Sequence, residues 1–438
     1  MYPRPSIDLL IEARWIIPVE PENLVLEQHA LAVDAGRIVA VLPAAEAAAR
    51  YEARRSLSLD QHVLLPGLVN LHTQAATHLL RGYDDDLPRH DAQQRLAALE
   101  ARHLGVAFVR DGTWLAGAEM LRGGITCFHD LYFHPEAAAE AVMRLGMRAV
   151  LGIMVKASPS AYAADADDYL GKGLAARDSL RGENLIGFSL AAPTLHELSD
   201  QQLERIMVLA NQLDLPLHLP VHESQAEIAA SLKQCGLRPL ARLQRLGFLG
   251  PGLIAQQAVH LEADELGLLG EQACAVAHCP TMNMRMGSGT APIAALRRLG
   301  VRIGLGSGTG ANNPRLDLWR EMQQAALLAR LYGGDNAPID AHAILRMATL
   351  DGAAALGLDD RLGSLRAGKE ADLCAVRLGD GLQPCHNVAA KLVFGAAREQ
   401  VTHVWVAGVE RVSTGALCDT DAAMLRDLAQ SWHNACTN

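Results

Sequence analysis

The stretch Leu65-Pro-Gly-Leu-Val-Asn-Leu-His-Thr-Gln-Ala-Ala-Thr-His-Leu-Leu-Arg-Gly82 decides the fold of this chain. Its apolar run over residues 67–71 predicts a short buried strand, which delivers His72 and Gln74 at its carboxyl end. Residues i and i+2 of a strand share a face, so both side chains are expected to point the same way. At the end of an inner barrel strand, that face is the mouth of an active site.

Seven further apolar runs follow this strand, and amphipathic helical patterns separate most of them. Eight buried strands with intervening helices over about 250 residues predict a (β/α)8 TIM barrel, here assigned to residues 66–365. A doubly wound open sheet is the alternative, but no glycine-rich phosphate loop opens a helix. The predicted strands are 67–71, 125–129, 149–155, 185–190, 217–222, 253–260, 273–279 and 303–307.

The two ends of the chain have a different sequence pattern, in which short runs typical of β-strands are separated by turns. Residues 1–65 and 366–438 are predicted to pair into one composite domain, a small β-sandwich beside the barrel. The fold class is therefore α/β. This organisation leaves the catalytic chemistry to the barrel.

Composition excludes several classes of function. The chain has 438 residues, a net charge of −10 and no Lys/Arg cluster, so a nucleic-acid partner is not expected. No uninterrupted apolar run approaches about 18 residues and the N-terminus does not resemble a signal peptide, so no membrane span is expected. Eight cysteines without CxxC spacing indicate reduced packing residues and a cytoplasmic location.

Several motifs carry a family resemblance that extends over nearly the whole chain. They resemble the amidohydrolase superfamily, and most closely its methylthioadenosine/adenosylhomocysteine deaminase and chlorohydrolase (triazine hydrolase-like) branch. The resemblance implies a barrel with a terminal β-sandwich and hydrolysis at a nitrogen heterocycle. The motifs are LLPGLVN, AEMLRGGITCF, LRMATLDGAAALGL, GSLRAGKEADLCAV and VTHVWVAGVERV.

In that branch the resemblance implies a single metal ion with five protein ligands. His72 and His260 match two of the ligand histidines, whereas Gln74, Pro220 and Gly308 occupy the other three positions. Zinc catalysis normally needs three or more protein ligands, and an amide is a weak ligand for zinc. We therefore expect no metal cofactor, with zinc as the alternative.

The remaining polar residues at the strand ends are the candidate site. The resemblance implies that Glu223 protonates a ring nitrogen of the substrate, and a carboxylate with imidazoles at this face suits acid–base catalysis. His218 is interpreted as a packing residue and His129 as a surface or second-layer residue. The catalytic candidates are Glu223, His260, His72 and His278, and the substrate-binding candidates are Gln74, His222, Arg81, Asp85, Ser307 and Asn313.

These residues predict an amidohydrolase-like enzyme that works without the usual zinc. Its expected substrate is a small, purine-like, electron-poor heterocycle of the triazine, azapurine or pteridine type. Acid–base assisted water addition would lead to ring, C–N or C–C cleavage, and a homodimer is expected. One alternative is a catalytically inactive protein that binds a purine-like ligand. The other is a zinc-dependent aminohydrolase with substituted ligands, in which His218 or His222 replaces a missing one.

Overall fold

The computed structural model describes residues 4–83, 85–87, 89–333 and 339–437. The strands are β1 Ser6–Ile16, β2 Leu26–Asp34, β3 Arg37–Pro43, β4 Glu52–Pro66, β5 Leu68–Gln74, β6 Ile125–Asp130, β7 Arg148–Met154, β8 Ile186–Ala191, β9 Leu217–Val221, β10 Leu253–Gln257, β11 Ala275–His278, β12 Arg302–Leu305, β13 Gly308–Thr309, β14 Leu373–Arg377, β15 Val401–Val406, β16 Val409–Ser413 and β17 Ala416–Leu417.

The helices alternate with these strands through the middle of the chain. They are α1 Ala44–Arg50, α2 Arg89–His103, α3 Val106–Arg122, α4 Pro135–Leu145, α5 Ala166–Ser179, α6 Asp200–Leu213, α7 Gln225–Cys235, α8 Pro239–Arg245, α9 Ala263–Glu271, α10 Pro280–Arg285, α11 Ile293–Arg298, α12 Leu318–Gly333, α13 Ala341–Met347, α14 Leu350–Ala355, α15 Val388–Gly395 and α16 Ala422–Thr437. Short 3-10 helices span Ala75–Leu80, Asp380–Leu382 and Arg398–Gln400. Within the described ranges, no helix has the length and apolar character of a membrane span.

Strands β5 to β12 form a parallel sheet in which each strand pairs with the next along the chain. The two-residue strand β13 follows β12 and pairs with β5, placing Gly308 opposite Thr73 and Thr309 opposite Gln74. The sheet therefore returns to its first strand, and the eight predicted inner strands are found in sequence order. The expected α/β fold class with a TIM-like barrel is confirmed.

Burial explains why these strands read as continuous apolar runs. Every residue of β6, β7, β9 and β11 is buried. A parallel strand in a barrel is covered by helices on one face and by the barrel core on the other, so no polar face alternates along it. The few polar side chains on these strands therefore lie in the protein interior.

The two ends of the chain meet in a second, eight-stranded sheet. Its order is β17-β16-β15-β14-β4-β1-β2-β3, so strands before and after the barrel share it. The junction is the antiparallel pair of β4 and β14, with Leu65 opposite Cys374. Strand β4 then continues through Pro66 and Gly67 into β5, which places the first barrel strand directly beyond this sheet.

A buried cluster of charges joins the barrel to the terminal sheet. Arg148, the first residue of β7, is 4% exposed, and its Nε donates to Asp372 Oδ2 at 2.9 Å. Its guanidinium also pairs with Glu370. The carbonyl of Asp372 accepts from the Gly67 N–H at 2.9 Å, and its Oδ1 accepts from the Ala407 N–H at 2.8 Å. Arg148 thus neutralises two carboxylates at the junction of the two sheets.

We expect Arg148→Ala to lower the free energy of unfolding by about 3–5 kcal/mol, because it leaves buried carboxylates without a counter-charge. Urea denaturation followed by circular dichroism measures this loss. Arg177→Ala is the control, since its partner Asp178 is 63% exposed and an exposed pair contributes about 0–1 kcal/mol. Equal losses in the two variants would show that the junction cluster does not stabilise the fold.

Candidate active site

The first and last barrel strands are tied together at the mouth by Asn70. Its Nδ2 donates to Ser307 Oγ at 2.8 Å, and its Oδ1 accepts from the Ser307 N–H at 3.0 Å. Asn313 Nδ2 donates to the Ser307 carbonyl at 2.7 Å and to Glu321 Oε1 at 2.9 Å. Ser307 and Asn313, two candidate substrate-binding residues, are thus engaged in closing the barrel.

Three buried histidines from separate strands meet inside the barrel. His72 Nδ1 lies 3.0 Å from His218 Nε2, so one ring donates a hydrogen bond to the other. The His129 and His218 ring centroids are 4.9 Å apart, and His129 Nε2 lies 2.7 Å from Ser189 Oγ. His129 is fully buried and not a surface residue, because β6 is covered on both faces. We call His72, His129 and His218 the imidazole cluster.

Each ring of the imidazole cluster retains a nitrogen without a hydrogen-bond partner. These atoms are His72 Nε2, His129 Nδ1 and His218 Nδ1. Burial lowers the pKa of His72 to about 4 and the pKa of His129 to about 3, so both rings are neutral at physiological pH. Neutral imidazole nitrogen is a preferred ligand atom for zinc and similar divalent ions.

His222, also a substrate-binding candidate, is placed differently from its expected inward face. Its φ of 54° takes the backbone out of β geometry immediately after β9. Its Nε2 accepts from the Leu240 N–H at 3.1 Å, and its Nδ1 lies 3.2 Å from Glu265 Oε2. His222 therefore packs against helices α8 and α9, and of the two proposed replacement ligands only His218 lies beside His72.

His260 lies beyond the end of β10 and is partly exposed. Its Nδ1 is 3.2 Å from Gln225 Nε2, and its carbonyl accepts from Arg238 Nη2 at 2.7 Å. The contacts of His260 are thus with the start of α7 and the segment before α8, whereas His72 contacts His218. His72 and His260, which match two family ligands, therefore contact different residues.

Glu223 lies in the turn between β9 and α7, where its backbone contacts the side chain of Glu227; we call these two residues the carboxyl pair. The Glu223 N–H donates to Glu227 Oε2 at 2.6 Å. Burial and then the negative charge of Glu223 raise the pKa of Glu227 to about 7. Burial and then the negative charges of Glu321 and Glu223 raise the pKa of the Cys279 thiol. Glu227 can hold or release a proton near neutral pH.

The other candidates occupy several places around the mouth. His278 is fully buried at the end of β11, burial lowers its pKa to about 4, and neither ring nitrogen has a partner. Gln74 is partly exposed at the end of β5. Arg81 and Asp85 form ion pairs instead, with Glu119 and Arg285 respectively, each at 2.6 Å.

Pro220 contributes no ligand atom, and the local backbone accommodates it. The Leu190 N–H donates to the Pro216 carbonyl at 2.9 Å, so alternate residues from 216 onward turn their peptide groups towards β8. Strand β8 ends at Ala191, which lies opposite His218. Position 220 therefore lies past the last residue of β8. The lack of an N–H on Pro220 removes no hydrogen bond between strands β8 and β9.

Gly308 leaves no room for the carboxylate that the family resemblance implies. A Cβ atom on Gly308 would lie 2.6 Å from Met282 Sδ and 2.9 Å from Met282 Cβ. Its φ of 76° is also a left-handed conformation that favours glycine. The side chain of Met282 thus fills the space beside the eighth strand.

A zinc ion therefore does not fit the five positions that the resemblance assigns, because Gln74, Pro220 and Gly308 do not replace the lost ligands. Ring nitrogens without a partner, the kind of donor atom that zinc prefers, are found in the imidazole cluster. In the conformation described here, no three His, Cys, Asp or Glu side chains of the described ranges are arranged to hold a metal ion. Binding at the cluster would require the hydrogen bond between His72 and His218 to open.

Residues 63–411 match the model of the amidohydrolase family. The chain belongs to this family. A 5-methylthioadenosine/S-adenosylhomocysteine deaminase from Teredinibacter turnerae is 39% identical over 98% of this chain and 97% of its own length. The solved adenosine deaminase from Xanthomonas campestris is 42% identical, with a TM-score of 0.97 over 99% of this chain and 100% of that chain. Atrazine chlorohydrolase from Arthrobacter aurescens shares the fold, with a TM-score of 0.88 at 22% identity over 97% of this chain and 99% of that chain.

These amidohydrolases correct one expectation. The Xanthomonas campestris structure contains bound zinc and is similar to this chain over almost its entire length. The expectation of no cofactor was therefore wrong, and atrazine chlorohydrolase was likewise crystallised with zinc. Sequence reasoning also missed His129 and Glu227. No pattern in the neighbouring sequence marks either residue as part of the site. His129 is recognised only because it lies beside His218 in the fold, and Glu227 only because it contacts Glu223.

We expect Gly308→Ala to destabilise the protein by more than the strain of a left-handed backbone, which costs about 1–2 kcal/mol. The added methyl group would also collide with Met282. Thermal unfolding measures the loss. Gly236→Ala is the matched control, with a φ of 71° and no atom within 4 Å of the added Cβ. Similar losses in both variants would show that Met282 yields easily.

Proposed function

We propose that this protein is an aminohydrolase that acts on the purine-type ring of an adenine nucleoside. Water would replace the exocyclic amino group and ammonia would leave, so that a ring carbonyl is formed. The proposal is supported by relatives named as deaminases of adenosine and of its 5′-thio derivatives, which match almost the full length of this chain. The observation that carries it in this structure is the Glu223–Glu227 pair at the end of β9.

The carboxyl pair supplies the proton chemistry of this proposal. Addition of water to the ring carbon requires a proton on the adjacent ring nitrogen, and we assign its donation to Glu223. Glu227, with its pKa raised to about 7, holds a second proton near neutrality and is linked to Glu223 through the Glu223 N–H. The pair takes up one proton of the attacking water and passes it to the departing amino group, which leaves as ammonia. The second water proton returns to the Glu223 carboxylate as the ring carbonyl forms.

A divalent transition-metal ion would be held by the imidazole cluster, with His72 and His218 as its principal ligands. When bound, such an ion acts as a Lewis acid towards water and substrate. His129 is the further donor beside His218, and its other ring nitrogen is already oriented by Ser189. A partner on the second ring nitrogen is typical of ligand histidines, because it fixes the tautomer.

We expect purified protein to contain zinc, and His218→Ala to weaken zinc affinity by at least about tenfold. Metal analysis by mass spectrometry and a zinc titration with a chromogenic chelator measure this directly, without reference to turnover. His29→Ala is the control, since His29 is partly exposed in the terminal sheet. Unchanged affinity in His218→Ala would exclude the cluster as the metal site.

We expect Glu223→Gln to lower kcat for deamination of adenosine or 5-methylthioadenosine by at least about 100-fold, because the amide cannot donate the proton. Glu227→Gln should instead change the pH profile of kcat. Ultraviolet absorbance of the purine ring follows both reactions. Glu271→Gln, at the exposed end of α9, is the control. Wild-type activity in Glu223→Gln would place the proton donor elsewhere.

A second candidate is a protein that binds a purine-like ligand without turning it over. The specific observation in its favour is Met282, which fills the space beside Gly308 where the resemblance implies a carboxylate. Calorimetry distinguishes the two functions. Binding of adenosine by zinc-loaded protein that forms no ammonia would support this candidate and overturn the aminohydrolase.

A further inference from the structure

A large groove lies between the 3-10 helix Ala75–Leu80, helix α3 and the C-terminal helix α16. Its volume is about 1230 Å³. The groove is separate from the imidazole cluster, since none of the three clustered histidines lines it. Five arginines line it, so we call it the arginine groove: Arg81, Arg95, Arg122, Arg398 and Arg426.

The carboxylates in the arginine groove are already shared among several cations. Glu119 accepts from Arg81 at 2.6 Å, from His78 at 3.0 Å and from Arg398 at 2.5 Å. Glu399, the other acidic residue of the lining, pairs with Arg315 at 3.1 Å and with Arg398 at 3.4 Å. Arg81 and Arg398 are thus engaged by these carboxylates, in a chain whose net charge is −10.

Two of these arginines occupy facing elements. Arg122 is the last residue of α3 and Arg426 lies in α16, and both line the same groove. Across the described part of the chain, neither side chain has an ion pair or a side-chain hydrogen bond. A guanidinium is rigid, planar and permanently charged, and it matches phosphate oxygens in a bidentate manner.

The walls of the groove are held in place by specific contacts. Trp432 Nε1 of α16 donates to Asp111 Oδ2 of α3 at 3.0 Å, and the Trp432 and Phe108 rings meet edge to face at 5.6 Å. Glu119 of α3 forms ion pairs with Arg398 and with Arg81, which directly follows the 3-10 helix Ala75–Leu80. These pairs connect that 3-10 helix to α3. The positive charges are therefore arranged on a built surface and not on a loose tail.

We propose that the arginine groove binds a small anion with several phosphate groups, as a site distinct from the imidazole cluster. A volume of about 1230 Å³ exceeds what one phosphate group needs and suits an extended polyphosphate chain. Arg122 and Arg426 would contact the anion from opposite walls. Binding there does not depend on the proposed aminohydrolase activity, and it can be measured in protein that turns over no substrate.

The test is calorimetric titration of the full chain with sodium tripolyphosphate at low ionic strength. We expect saturable binding to the wild type and at least about tenfold weaker binding to the Arg122→Gln/Arg426→Gln variant. The control is Arg298→Gln/Arg320→Gln, which removes the same charge from helices α11 and α12 outside the groove. Its affinity should stay within about twofold of the wild type.

Three results would overturn the proposal. The first is that tripolyphosphate does not bind to the wild type. The second is equal weakening of binding in both double variants, which would show that the anion responds only to the overall electrostatic field of the protein. The third is a wild-type dimer in light scattering that the Arg122→Gln/Arg426→Gln variant converts to a monomer, which would show that the groove is an interface between two copies of the chain. Circular dichroism confirms that each variant is folded before it is titrated.

Discussion

The hydrogen bonds between Asn70 and Ser307 are the constraint on which the mouth of the barrel depends. A closed parallel sheet has to join its first and last strands, yet only Gly308 and Thr309 pair with β5. The Asn70 amide adds both a donor and an acceptor to that short ladder. Thr77 extends the junction, since its Oγ1 accepts from the Gly310 N–H at 2.9 Å. Ser307, which is a substrate-binding candidate in the sequence, is therefore engaged in closing the barrel.

The unusual residues at the mouth are each matched by their surroundings. Pro220 lies beyond the end of β8, so its lack of an N–H removes no hydrogen bond between β8 and β9. Gly308 adopts a left-handed φ and lies against Met282, which occupies the space of a side chain. Restoring a carboxylate at position 308 would therefore collide with Met282. The site has to be understood as the set of contacts it now makes, with His218 beside His72.

The sequence predicted the barrel well, because strands buried on both faces give unbroken apolar runs. It also predicted that both ends share a sheet. Side-chain direction was predictable only within strands: the alternation of faces fails at His222, where a φ of 54° ends β geometry. The pairing of Glu223 with Glu227 and of His72 with His218 depends on loop geometry and on strands far apart in sequence. No local pattern carries that information.

The polar interior of this barrel has an energetic cost that points to a ligand. An unsatisfied buried polar group costs about 1–3 kcal/mol, and His72, His129 and His218 each retain such a nitrogen. Apolar side chains would fill the same interior without that loss. Because burial keeps these rings neutral, they are suited to binding a metal ion or a polar heterocycle and not to delivering protons near pH 7. Under the proposed function, proton transfer is assigned to the carboxyl pair, where Glu227 has a pKa of about 7. The same proposal assigns ligand binding to the imidazoles.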